Sequence, residues 1–375
     1  MRLFLYLSIL ISLAACTSDV AGGTGSNAGE AEIAYVFKDA SGRALPSAKI
    51  NLWKMEEGAL TFVDSSYADT SGSWKLSSSS KQKLLLEAWF EDSLAYMCWV
   101  DLSEKKPESL ILYPTETLEG TLMQNEQPFS GASLQVLNRG YQTNASGDYF
   151  FDQMPRGIHL MLVNGTQTVQ LQTNYRDTID LDVPFILIEN FEDWGLQTIL
   201  GKFFGGGWWY YSSNEGSGGL SFLEPAFESG PEVIATKEEA FSGRSLHVKM
   251  TVDSSLEEKF ALVGFSLGDD FYKEQGKSFF DLSSLSAVTF RAKGNGSLFL
   301  QWVMKKEGSP EKAFSLASFT LSENWTFYRI PSAHFDGPFQ MLNALNFMAE
   351  EDADLWLDDI RFEGIGLPEW NANTK

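Results

Sequence analysis

The chain is divided into short apolar–polar alternating runs separated by Gly-, Pro-, Ser-, Asn- and Asp-containing turns. Ala48-Lys49-Ile50-Asn51-Leu52 is one such run. A period of two places successive side chains on opposite faces of a strand. The C-terminal half shows almost no helical period, apart from a short turn expected near Gln340–Leu345. Regularly spaced short strands of this kind build sandwiches, so the expected fold class is all-β. At 375 residues the chain has room for about two to three such units.

Two stretches repeat one pattern. Residues 31–113 contain Phe37-Lys38-Asp39-Ala40-Ser41-Gly42-Arg43-Ala44-Leu45-Pro46, then Tyr67-Ala68-Asp69-Thr70-Ser71-Gly72-Ser73-Trp74. Residues 114–187 contain Gln127-Pro128-Phe129-Ser130-Gly131-Ala132, then Tyr141-Gln142-Thr143-Asn144-Ala145-Ser146-Gly147-Asp148-Tyr149. Each gives a strand, a Gly/Pro turn, an alternating strand, a hairpin turn at Ser-Gly and a further strand. The pattern resembles the carboxypeptidase regulatory-like, or transthyretin-like, fold. Tyr149 to Gly157 fits a later segment of that family, whereas the Ser/Lys run from Lys75 to Lys83 departs from it. The resemblance implies two small Ig/transthyretin-like sandwiches, read as spacers. A peptide- or glycan-contacting role is the alternative.

Residues 1–15 read as a signal peptide: Arg2 supplies a positive charge and Leu3 to Leu13 an apolar run too short to span a bilayer. Leu13-Ala14-Ala15-Cys16 resembles the bacterial lipobox. The resemblance implies cleavage before Cys16 and acylation of that residue (diacylglycerol on the thiol, a fatty acid such as palmitate on the amine). Thr17 rather than Asp after the cysteine implies outer-membrane sorting. An ordinary signal peptide with an incidental Cys16 is the other reading. Residues 16–30 are a Gly/Ser/Asn-rich tether. Cys98, in the apolar run AYMCWVDL, reads as a structural thiol. Two cysteines cannot build a disulfide framework or a Cys₄ zinc site.

A third unit begins near Pro184 and runs over 188–365, with a tail over 366–375. Its strands read as 245–250, 260–265, 287–292, 297–305, 325–330 and 355–362. The ordered pieces are Glu189-Asn190-Phe191-Glu192-Asp193, Gly205 to Tyr211, Phe241 to Val248, Phe280 to Gly294, Trp325 to Phe335 and Leu355 to Phe362. Together they resemble galactose-binding-like jelly rolls of non-catalytic carbohydrate-binding modules, of the family 11 type. The full expectation is therefore two small sandwiches followed by a β jelly roll.

Two sites are expected on that unit. Glu189, Glu192, Asp193, Asp358 and Asp359 lie on its first and last strands, which are neighbours in such sandwiches. Converging carboxylates repel unless a hard cation lies among them, and Ca²⁺ takes six to eight oxygens. Ser245, in the turn Ser242 to Ser245, can add an oxygen; the resemblance also implies a structural calcium. Alternation along 356–362 puts Asp358 on the inward face. The competing reading is surface carboxylates, some paired with Arg244 or Arg361.

Sugar binding needs flat aromatic faces beside hydroxyl-reading polar groups. Alternation separates Trp208 and Tyr210 from Trp209 and Tyr211, leaving open which pair is core; the candidates are Trp209 and Tyr211, with Gln301, Lys305 and His334. Trp325 and Trp356 read as core.

The acidic balance, 50 Asp and Glu against 28 Lys and Arg, argues against nucleic acid and against anionic membrane surfaces. None of His159, His247 and His334 forms a zincin motif, and no nucleophile elbow, P-loop or dinucleotide fingerprint occurs. The expectation is a monomeric, non-catalytic outer-membrane lipoprotein that binds plant-type β-glucan or a similar polysaccharide by aromatic stacking. The alternatives are an assembly lipoprotein that binds a protein partner and a glycoside hydrolase accessory.

Overall fold

The computed structural model describes residues 31–56, 59–78, 83–101, 108–174, 176–192, 197–204, 206–225, 235–268, 279–305, 312–337, 339–367 and 369–370. The signal, tether and Cys16 lie outside the described residues, as do Asp193 and residues 79–82. No described helix is long and apolar enough to cross a membrane.

The first sandwich comprises β1 (Ala31–Lys38), β2 (Lys49–Glu56), β3 (Ala59–Tyr67), β4 (Ser73–Ser78), β5 (Lys83–Phe90), β6 (Leu94–Asp101), β7 (Glu108–Ile111) and β8 (Tyr113–Pro114). Its sheets run β4-β1-β7 and β3-β2-β5-β6-β8. The second comprises β9 (Glu116–Gln124), β10 (Gln127–Pro128), β11 (Ser133–Val136), β12 (Arg139–Gln142), β13 (Asp148–Met154), β14 (Ile158–Val163), β15 (Gln167–Gln172) and β16 (Arg176–Asp180). Its sheets run β10-β9-β13, with β16 also on β9, and β12-β11-β14-β15.

The repeat seen in the sequence is a repeat of topology. β1 pairs antiparallel with β4 and parallel with β7, as β9 does with β13 and β16. The hairpin turns are built alike. Asp69 accepts hydrogen bonds from the Ser71 and Ser73 amides, and Asn144 from those of Ser146 and Asp148. Gly72 and Gly147 follow at φ +76° and +74°, where L side chains are strained. A Cβ on Gly147 would also lie 2.4 Å from the Leu122 carbonyl oxygen.

The two sandwiches share apolar contacts. Trp53 and Leu85 of the first belong to the cluster around Leu118, Val136, Tyr149 and Met161 of the second. At about 25 cal/mol per Å² of apolar surface buried, that contact holds the pair together beyond their peptide link.

The third sandwich holds β17 (Phe185–Glu189), the short helix α1 (Ile199–Phe204), β18 (Trp209–Ser213), β19 (Phe222–Glu224), β20 (Ala235–Thr236), β21 (Ser245–Thr251) and β22 (Ala261–Ser266). It continues with β23 (Ala287–Asn295), β24 (Ser297–Lys305), β25 (Lys312–Thr320), β26 (Thr326–Pro331), β27 (Leu342–Ala349) and β28 (Ala353–Glu363). One sheet runs β19-β21-β28-β23-β26, with β17 on β28 and β20 on β21; the other runs β18-β22-β27-β24-β25. Between them lie Phe265, Phe290, Trp302, Phe347 and Phe362, all buried.

The expected turn near Gln340–Leu345 is in fact the start of β27, a central strand buried along its whole length. Its sequence, LNALNFMA, lacks alternation because a central strand between β22 and β24 is shielded from solvent on both faces, and Asn343 and Asn346 are buried. Trp325 is not a core residue, whereas Trp356 is buried as expected but outside the cluster between the sheets. Trp356 stacks on His247 with 3.8 Å between ring centroids, under the Lys293 ammonium at 4.6 Å, and Trp325 donates its Nε1–H to the Glu239 carbonyl.

One buried base lies in the second sandwich. His159, on β14, is fully enclosed; a ring N–H at Nε2 bonds the Pro155 carbonyl at 2.7 Å, while Nδ1 is buried with no partner. Burial pushes its pKa down from 6.5 to about 4. A folded-state pKa below the unfolded one stabilises fully above pH 6.5 and loses that contribution as pH falls toward 4. The shift corresponds to about 3 kcal/mol. Thermal unfolding of wild type and His159→Gln across pH 7 to 4 checks this. The wild type should lose more stability in that window, and parallel curves would sink the assignment.

Candidate functional site

A groove of about 1030 Å³ lies on the outer face of the β18-β22-β27-β24-β25 sheet. Register places Tyr210, Gly264, Asn346 and Gln301 in one row across β18, β22, β27 and β24. The row is a hydrogen-bonded ladder. Tyr210 donates its hydroxyl to Asn346 Oδ1 at 2.5 Å; Asn346 Nδ2 donates to Gln301 Oε1 at 2.7 Å. Gly264 makes the ladder possible, since a Cβ there would come within 2.1 Å of Asn346 Oδ1. Such a connected network holds its amides in one orientation before any ligand arrives.

Aromatic side chains flank the ladder. Trp208 is 44% exposed on one side and Phe314, on edge strand β25, is 56% exposed on the other. Trp208 is fixed through its backbone: its amide donates to Ser266 Oγ at 3.1 Å and its carbonyl accepts from the Ser266 amide at 3.0 Å. Gly206 and Gly207 precede it at φ +76° and +69°. They are needed for close approach: a Cβ on either would lie within 2.5 Å of Leu267 O or Thr198 Oγ1, respectively. Glu257, Glu258, Lys259, Lys312 and Glu350 ring the groove, and burial holds the Lys312 pKa below its usual value.

The expected sugar-binding residues divide. Gln301 is on the groove floor. Trp209 is not a platform: it is 5% exposed, packed on Phe191 and Phe265, with Nε1–H donated to Glu189. The neighbouring pair, Trp208 and Tyr210, faces the groove instead. Alternation separated the pairs but could not tell inside from outside, because both are aromatic. Tyr211 is half-buried against the core and reaches the groove rim. Lys305 closes β24, and its side chain lies outside the described part of the structure. His334 is exposed in a 3₁₀ turn after β26, in the opposite sheet, and does not line the groove. Asn346 and Phe314 were missed. The alternation of KAFSLASFT was the available signal for Phe314.

The acidic residues gather at the β17–β28 junction. β28 meets β21 along its first half and β17 along its second. At the changeover Asp359 adopts φ +50°, and the register slips. This bulge turns the strand over, so Leu355 and Leu357 face the core before it and Ile360 and Phe362 after it. Simple alternation therefore misplaced Asp358 relative to Ile360 and Phe362, although Asp358 is buried, at 2% exposure. It accepts from Ser245 Oγ at 2.7 Å and from the Asp359 amide at 2.7 Å. Burial, reinforced by the charges of Asp359 and Glu192, raises its pKa to about 8. Burial also raises that of Glu192.

Asp358, Asp359, Glu192, Asn190 and Ser242 line a small recess there. Carboxylate, amide and hydroxyl oxygens, the kind of ligand a hard cation takes, line it beside the Phe241 ring. Glu189 is turned away: its carboxylate accepts from the Asn190 and Phe191 amides at 2.8 and 2.7 Å. Asp359 meets Arg361 at 2.7 Å, and Glu192 accepts from the Arg244 amide at 3.0 Å. Among the described residues no three His, Cys, Asp or Glu side chains form a metal-ligating group.

No protein-family profile matches the chain, and no curated protein does. Solved structures similar to it are carbohydrate-binding modules. A family 11 module of the cellulosomal cellulase Lic26A-Cel5E of Clostridium thermocellum shares 14% identity over 42% of this chain and 88% of its own, with a TM-score of 0.31. A family 30 module shares 13% over 35% and 72%, with a TM-score of 0.28. A family 29 module shares 12% over 49% and 88%, with a TM-score of 0.27. These likenesses are slight, and the assignment to the β-sandwich class stands on the sheets themselves.

Proposed function

We propose that this chain is a non-catalytic polysaccharide-binding protein whose third sandwich holds a glycan segment in the Trp208–Phe314 groove. One observation carries the reading: a pre-bonded Tyr210–Asn346–Gln301 ladder lies between exposed aromatic rings. Pyranose rings offer C–H faces to aromatics and hydroxyls to amides, so stacking and hydrogen bonding act together without breaking a bond. A plant-type β-glucan is the ligand class proposed. Affinity gel electrophoresis against mixed-linkage β-glucan, xylan and mannan tests it; absence of retardation on every one overturns it. The exposed edge strand β25, with Phe314 and Leu316 outward, favours a protein partner as the second reading.

The proposal extends to the membrane and to calcium. Cys16 is proposed as the lipid anchor in the outer membrane, and Cys16→Ala should shift the protein from the membrane fraction to the soluble one. Unchanged fractionation would refute the anchor. Asp358, Asp359 and Glu192 are proposed to hold a calcium ion that offsets their mutual repulsion. Millimolar Ca²⁺ added after chelator treatment should then raise the Tm by several degrees, and Asp358→Asn should abolish that rise. A wild-type Tm indifferent to calcium would remove the ion from the proposal.

A further inference from the structure

A second groove lies on the outer face of the β3-β2-β5-β6-β8 sheet of the first sandwich. Register arranges that face in rows: Phe62–Trp53–Leu85, Ser65–Asn51–Glu87 and Tyr67–Lys49–Trp89 across β3, β2 and β5. The second sandwich covers the face at Leu85 and leaves it open toward β3. The opening holds about 680 Å³ beside Phe62, and Gln135, Asn138 and Leu162 of the second sandwich form its far wall. It continues past Lys49 and Asn51 into about 390 Å³ beside Tyr67.

The floor is built from within. Glu87, 1% exposed, accepts from Asn51 Nδ2 at 3.0 Å, Trp53 Nε1 at 2.9 Å and Trp89 Nε1 at 2.7 Å. One buried carboxyl group thus orients an amide and two indoles. Phe62 and Tyr67 stand above the floor, 52% and 64% exposed. The plan matches the groove of the third sandwich: a bonded polar row bordered by aromatic rows.

The lining also says what kind of ligand fits. The floor is the face of a sheet, and β2 is already hydrogen-bonded to strands on both sides. A peptide lying on that floor therefore finds no open ladder to join, the free edge of the sheet being at β3, beside the floor. Two basic residues, Lys49 and Arg139, stand among three acidic ones, Glu87, Glu91 and Asp92, so the lining carries both signs and selects neither a strongly acidic nor a strongly basic ligand. What remains is side-chain amides and hydroxyls between aromatic rings.

We infer that the cleft between the first two sandwiches is a second glycan-binding groove for a neutral polysaccharide segment, so that the chain binds one polymer at two places. The inference shares its ligand class with the reading of the third sandwich, but its residues are separate. The experiment is affinity electrophoresis of the full chain in gels of mixed-linkage β-glucan, xylan or mannan. Four proteins are compared: wild type, Trp208→Ala, Phe62→Ala/Tyr67→Ala and the triple variant, with Tm measured for each. Two grooves on one polymer give avidity, so either lesion should weaken retention at least about tenfold and the triple should abolish it. A Phe62→Ala/Tyr67→Ala protein retained like wild type overturns the second groove and leaves the first. Retention lost in that variant but untouched by Trp208→Ala supports the second groove and removes the first. Absence of wild-type retention in all three gels overturns both.

Discussion

Replacing Trp208 by Ala should weaken polysaccharide binding roughly 30-fold, the effect of losing about 2 kcal/mol from a central aromatic contact. The unfolding free energy should stay within about 0.5 kcal/mol of wild type, as for other exposed substitutions. The neighbouring change, Trp209→Ala, should do the reverse. It opens a cavity between Phe191 and Phe265 and strips Glu189 of a hydrogen bond, at a cost of about 3–5 kcal/mol in stability. Any protein that remains folded keeps the groove's stacking face. The contrast follows from strand geometry, since adjacent residues point to opposite faces. Calorimetric titration and denaturant unfolding on both variants check it. Equal losses of affinity in the two, or a Trp208→Ala protein that binds like wild type, would show that Trp208 is not a platform.

That pair also shows where sequence reasoning stopped. Alternation, with short apolar runs, located all six strands expected in the third unit to within three residues at each end. It failed on β27, where both faces are covered and no period survives. It gave the burial of Trp356 but not its cause, since the indole is covered by His247 and Lys293 and lies outside the cluster between the sheets. At Asp358 a bulge shifted the phase, and a bulge has no signature in a period-two pattern. The groove was partly legible: Gln301 was found, whereas its partner Asn346 was not, since their meeting depends on the pairing of β24 with β27. The Ser-Gly hairpin turns of the two smaller sandwiches were legible because φ near +75° leaves few residues but Gly able to comply.

Arg361→Met should destabilise the chain by about 3 kcal/mol, the low end of the cost of removing one partner from a buried ion pair, because the three side chains keep 14–22% exposure. Arg361 lies on β28 and is largely enclosed. It reaches Asp359 on its own strand at 2.7 Å and Asp177, on β16 of the second sandwich, at 2.7 Å, with the Phe185 ring 4.7 Å from its guanidinium carbon. Burial alone would lower the pKa of this guanidinium, and the two carboxylates more than reverse that, so it stays charged. Without it, Asp177 loses the guanidinium at 2.7 Å, and Asp359 keeps only the more distant Arg291 at 3.9 Å. Arg156 adds a weaker tie across the same joint, 3.5 Å from Glu192 and itself half exposed, so it contributes little by comparison. The joint also includes Gln170 of β15, whose Oε1 accepts the Leu187 amide at 2.7 Å. A lesion confined to one sandwich would leave the Asp177→Asn cost unchanged in the Arg361→Met background. A lesion of the joint predicts coupling, because each change removes the same contact. Denaturant unfolding of the two single variants and the double should give a coupling energy of about 1–3 kcal/mol. Strict additivity would mean that the Arg361–Asp177 contact does not hold the second and third sandwiches together.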